Sequence, residues 1–219
     1  MLAVRLIAYA VILALGFAGL VLIEISSEDG LRFLVQSDMA RTLGTSEWSL
    51  VEWLQLAALF VVIVLALQSG RWHRREFALG VVMAALAAAA FIRELDLFLD
   101  YYIVDHLWQV LIALLLAVTI VFASRHMSAL KRSLAVATAA PALTLIYAGL
   151  MVIVFANFLG HAPFWESILG DAYQRTAKIA AEEMTELLGY CLWLAGQIEY
   201  ALSCRARFVL ASGRGAKKQ

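Results

Sequence analysis

The chain has 219 residues, 63% of them hydrophobic and 16% charged, with a formal net charge of zero. Soluble domains carry about 45–50% apolar and about 25% charged residues, so this composition excludes an ordinary soluble core and indicates a membrane protein. With neutral net charge and its main basic cluster in a short tail from Arg205, the chain is not a nucleic-acid binder; anionic lipid headgroups suit that tail better.

A membrane-spanning helix needs about 20 mostly apolar residues. The apolar stretches predict an all-α bundle of six spans within residues 1–204, at about 4–24, 47–67, 77–97, 102–123, 134–158 and 181–203. The first run extends to Ile23, beyond the 7–15 apolar residues of a typical signal peptide, and is read as a retained span. Span two opens on a Ser49-x-x-Glu52 pattern, which fits a capping box. Span three has sixteen uncharged residues, Phe77 to Ile92, so it is expected to draw Arg93, Glu94 and Asp96 into its outer end. On one continuous helix Arg93, Asp96 and Asp100 share a face and favour an ion pair. Pro141 stands near the start of span five.

Span six is the most polar. Twelve residues, Leu187 to Ile198, separate Glu186 from Glu199, so hydrophobic length forces at least one of these carboxylates inside. Glu182 and Glu186 sit at i, i+4, where like charges repel unless a proton or cation is shared.

Basic residues follow every even-numbered span: Arg71, Arg74 and Arg75, then Arg125, Lys131 and Arg132, then the tail 205–219. Lys and Arg concentrate on cytoplasmic loops, so both termini are expected inside, in a plasma membrane of the bacterial inner-membrane kind. Segments 29–42 and 163–175 read as amphipathic surface helices on the outer side, where Trp48, Trp53, Tyr101, Tyr102, Trp108, Trp165 and Tyr173 would form an aromatic belt. Small-residue ridges at Ala10/Ala14/Ala18, at Gly80/Ala84/Ala88 and at Gly189/Gly196 suit close helix packing.

These spans are expected to gather carboxylates at the outer end of the bundle. Glu52, Asp96, His106, Glu182 and Glu186 are candidate ligands for a divalent metal, since carboxylate oxygen and imidazole nitrogen both suit such ions. Glu94 is a candidate general base if the site is hydrolytic, and Arg93, Asp100 and Gln55 are ion-pair or positioning residues. The alternatives are a proton- or cation-coupled transporter with Glu186 and Glu199 as relay carboxylates, and an accessory subunit that pairs with a membrane partner or a second copy.

Haem ligation by the four histidines is disfavoured, because His73 and His126 lie in basic loops. Glu182-Glu183 resembles the start of the EExxxR helix of CAAX-type intramembrane proteases, but position 187 is Leu and no His follows. The HxxxH pair of ceramidase-like hydrolases and the GxS motif of rhomboids are absent, so no family is assigned.

Overall fold

A computed structural model describes residues 2–26, 49–72, 76–138 and 141–216. The predicted helix at 29–42, Trp48, His73, Arg74 and Arg75 lie outside them. Among the described residues there is no strand. The helices are α1 (Leu2–Ser26), α2 (Leu50–Trp72), α3 (Phe77–Arg93), α4 (Asp96–Tyr102), α5 (Leu107–Arg125), α6 (Met127–Thr138), α7 (Pro141–Leu159), α8 (Ala162–Leu169) and α9 (Arg175–Ala216).

Among the described residues, four helices are long and apolar enough to cross a membrane: Leu2–Ile23, Leu50–Trp72, Leu107–Arg125 and Ala142–Leu159. The bent pair α3–α4 makes a fifth if counted as one span. The long helix α9 does not reach the same apolarity, because Glu186, Gln197 and Glu199 interrupt it. At 42 residues it is about 63 Å long, roughly twice the hydrocarbon thickness. The predicted span 181–203 is therefore the middle of a longer rod.

Span three departs from its expected form. The helix stops at Arg93 and restarts at Asp96, with a 56° bend. Leu95 N donates to Ile92 O, a tightened last turn. Asp96 Oδ1 then accepts from Leu97 N at 2.7 Å, an alternative to the continuous ladder that Asp side chains commonly offer. The bend removes the single face predicted for Arg93, Asp96 and Asp100. Span four begins later than expected, because residues 103–106 form a turn closed by Val104 N donating to Leu99 O. His106 sits there at φ 61°, in the left-handed region that His tolerates better than most residues. Residues 134–138, predicted within span five, belong to α6 instead, and Pro141 takes the first position of α7, where its missing N–H is no loss.

The chain divides into two compact units, Met1–Gln55 with Ala148–Cys191, and Leu56–Tyr147 with Leu192–Gln219. In unit one, Leu20 packs with Val51, Ile179, Ala180 and Leu187, and Phe17 and Met184 close over them. Ala10, Ala14 and Ala18 are exposed, so the inward face of α1 is the one bearing Phe17 and Leu20, not the predicted small-residue ridge. A Cβ on Gly189 would lie 2.9 Å from Gly149 O, which fixes a close approach of α7 and α9.

In unit two, α3 packs on α5 and α6, and α4 on α5. Here the predicted ridge is used: a Cβ at Gly80 would meet Ala66 O at 2.6 Å, and Ala84 is buried. The surface is apolar, with Ile7, Leu15, Phe60, Leu114, Ile120 and Val154 each exposed. Glu52, Gln55, Glu76, Glu186, Gln197 and Glu199 are buried. Apolar outside and polar inside is the distribution a bilayer selects, because charged groups face the protein interior rather than lipid.

Candidate functional site

Of the residues expected at one outer cluster, Glu52, Gln55, Glu182 and Glu186 belong to unit one. Arg93, Glu94, Asp96, Asp100 and His106 belong to unit two, as does Glu199, the second carboxylate of the alternative relay.

In unit one, the start of α2 is fixed by a reciprocal capping box. Glu52 N donates to Ser49 Oγ at 3.2 Å, and Ser49 N donates to Glu52 Oε2 at 3.3 Å. The sequence pattern anticipated this box, and it gives Glu52 a structural task. One turn further on, Gln55 is fully buried. Its Nε2 donates to both the main-chain oxygen and the Oε2 of Glu183, each at 3.1 Å. Its Oε1 is buried with no hydrogen-bond partner among the described residues.

Helix α9 places Glu183 and Glu186 at i, i+3, on one face. An oxygen of each lies within 4.8 Å of the other. Glu186 is 2% exposed, and Asn157 Nδ2 donates to its Oε1 at 3.5 Å. Glu182, the expected i, i+4 partner of Glu186, takes a different neighbour: Lys178 Nζ lies 3.0 Å from its Oε2. The side chain also packs where Gly160 leaves room; a Cβ there would collide with the carboxylate. The close carboxylate pair is thus Glu183 with Glu186. Glu183 is not among the ligands expected from the sequence. Its i, i+3 spacing to Glu186 was visible, but the buried glutamine that holds it was not.

In unit two, Asp100, Asp105 and His106 offer ligand atoms within 4.8 Å of one another. Trp108 Nε1 donates to Asp100 Oδ2 at 3.1 Å, and His106 Nε2 stands 3.5 Å from Asp105 Oδ2. The Asp105 and His106 side chains are 78% and 68% exposed, so water competes fully for both. Arg93 pairs with its neighbour Glu94, whose side chain is only 6% exposed. Asp96 bonds within its own turn, as described above. Glu199 is 3% exposed, and its main-chain oxygen accepts from Ser203 Oγ. His126 and His161 are exposed. Cys191 and Cys204 are free thiols.

Unit two thus holds a largely exposed group of three potential ligands, and unit one a carboxylate pair, Glu186 buried and Glu183 half-buried, that offers only oxygen. Oxygen donors suit hard cations such as Mg²⁺, Ca²⁺ and Mn²⁺, whereas imidazole and thiolate favour zinc and copper. The chain matches no protein-family model, no curated protein and no solved structure.

Proposed function

We propose that the protein is a six-span membrane protein, both termini cytoplasmic, that binds a divalent cation near the outer leaflet through Glu183, Glu186 and Gln55 Oε1. The observation that carries this reading is the Glu183–Glu186 carboxylate pair, its oxygens 4.8 Å or less apart, held by Gln55, a side chain whose own amide oxygen is buried without a hydrogen-bond partner among the described residues. A lone carboxylate pair is relieved by a shared proton as readily as by a cation. A pair accompanied by a neutral oxygen acceptor is better matched by a cation, which takes lone pairs from all three. Glu52 and Glu182 support the site from their cap and ion pair. His106, Asp96 and Asp100 are not ligands of this ion. A hydrolytic role for Glu94 would need its carboxylate released from Arg93, so catalysis is not part of the proposal.

The test is direct titration of purified, chelator-stripped protein in lipid nanodiscs with Mg²⁺, Ca²⁺ and Mn²⁺. One saturable site in the parent, lost in Glu186→Gln and in Glu183→Gln, is the expected result. Absence of saturable binding in the parent would remove the reading.

A cation-coupled transporter is the second reading, favoured by the burial of Glu199 at 3% exposure on the same helix. It predicts that Glu199→Gln abolishes cation flux in proteoliposomes while leaving equilibrium binding intact.

A further inference from the structure

Unit two holds a row of polar groups that the cation site does not use. On α9, Trp193, Gln197, Tyr200 and Cys204 recur at i, i+4, i+7 and i+11, so they share one face. Trp193 is 2% exposed, Gln197 0%, Tyr200 1% and Cys204 0%.

The C-terminal half of the row is satisfied. Tyr200 Oη donates to Glu76 Oε2 at 3.0 Å, and Arg207 Nη1 donates to Glu76 Oε1 at 3.1 Å. The N-terminal half is not. Trp193 Nε1, Gln197 Nε2 and Gln197 Oε1 are all buried without a hydrogen-bond partner among the described residues. Buried polar groups in folded proteins are nearly always paired, with protein or with ordered water. Three orphaned atoms on adjacent turns of one helix face therefore mark a place where a partner binds.

Their chemistry defines that partner. The indole N–H only donates, while the carboxamide both donates and accepts. A molecule that accepts from two N–H groups and donates to one oxygen completes the set, and water does this with its ordinary two-to-four hydrogen bonds. The three atoms belong to neutral groups, so a neutral guest suits them.

We propose that Trp193 and Gln197 form an internal hydration site. Gln197 is one turn from Tyr200, so the site lies next along α9 from the Glu76–Tyr200 hydrogen bond. From Trp193 to Tyr200 the row rises by about 10 Å.

The experiment uses the full chain in nanodiscs with ¹⁵N-labelled tryptophan. The Trp193 indole signal is identified by its loss in Trp193→Phe. A cross-peak between that indole proton and water is expected, weakened several-fold in Gln197→Leu. Gln197→Leu is expected to lower the unfolding temperature, because it strips a bound water of its partners. An indole proton with no water contact would overturn the proposal. So would a higher unfolding temperature in Gln197→Leu, the outcome for polar atoms that truly had no partner. Should Gln197→Leu fail to fold, the indole–water cross-peak of the parent decides. Stoichiometric recovery of an organic molecule from solvent extracts, absent from Gln197→Leu, would overturn the assignment to water.

Discussion

Replacing Glu186 by Gln separates the effect of charge from that of packing, because the side chains are nearly isosteric. Two full charges at 4.8 Å repel by about 3.5 kcal/mol at an effective dielectric constant of 20. Of the hydrogen bonds here, the substitution touches only the long one from Asn157 to Glu186, which returns at most about 1.5–3 kcal/mol, the range for a bond to a charged group. With chelator present, Glu186→Gln should therefore be as stable as the parent or more stable by about 1–2 kcal/mol. The cation response should run the other way. A ligand that binds only the folded state at 100 times its Kd stabilises it by about 2.7 kcal/mol. The parent should gain that in saturating Ca²⁺ or Mg²⁺, and the variant should gain nothing. Thermal unfolding in nanodiscs, with chelator and with cation, reads both effects. A variant clearly less stable than the parent in chelator, yet equally stabilised by cation, would refute the reasoning: Glu186 would then be a structural residue and the cation would bind elsewhere.

Gln55→Leu removes both the donor to Glu183 and the buried oxygen, so cation affinity should fall at least tenfold in the same titration, with about 1–3 kcal/mol lost from stability. Arg207→Ala leaves the buried carboxylate of Glu76 with Tyr200 but without the Arg207 guanidinium, itself one-third exposed, and should cost about 1.5–3 kcal/mol in denaturant unfolding. Adding Glu76→Gln should recover part of that loss, since the orphaned charge is gone, and a purely additive double variant would argue against the pair. Gly80→Ala places a Cβ 2.6 Å from Ala66 O and should destabilise by about 1–3 kcal/mol, visible as a lower unfolding temperature.

The sequence determined those features that depend on one helix at a time. Hydrophobic length and composition identified a membrane protein and located its apolar helices, because about 20 apolar residues in a row have one main use. The Ser49–Glu52 capping box was legible because both partners lie within a single turn. The i, i+3 relation of Glu183 to Glu186 was equally local. Hydrophobic length also pointed to buried acid in span six, and both Glu186 and Glu199 are buried.

The tertiary structure decided which faces meet. The Lys178–Glu182 pair is local, at i, i+4, but nothing near Glu183 along the helix announced that it would take Gln55, a residue 128 positions away in the chain. The same holds for Glu76, which Tyr200 and Arg207 clamp from 124 and 131 positions away. The bend after Arg93 was missed for a related reason: the pattern of apolar residues continues through it, and the break depends on which backbone groups find partners there. Helical periodicity fixes a side chain's direction on its own helix to within a fraction of a turn. The rotation of one helix against another is set by packing at positions such as Gly80 and Gly189, and that is the information a carboxylate needs before it can become part of a site.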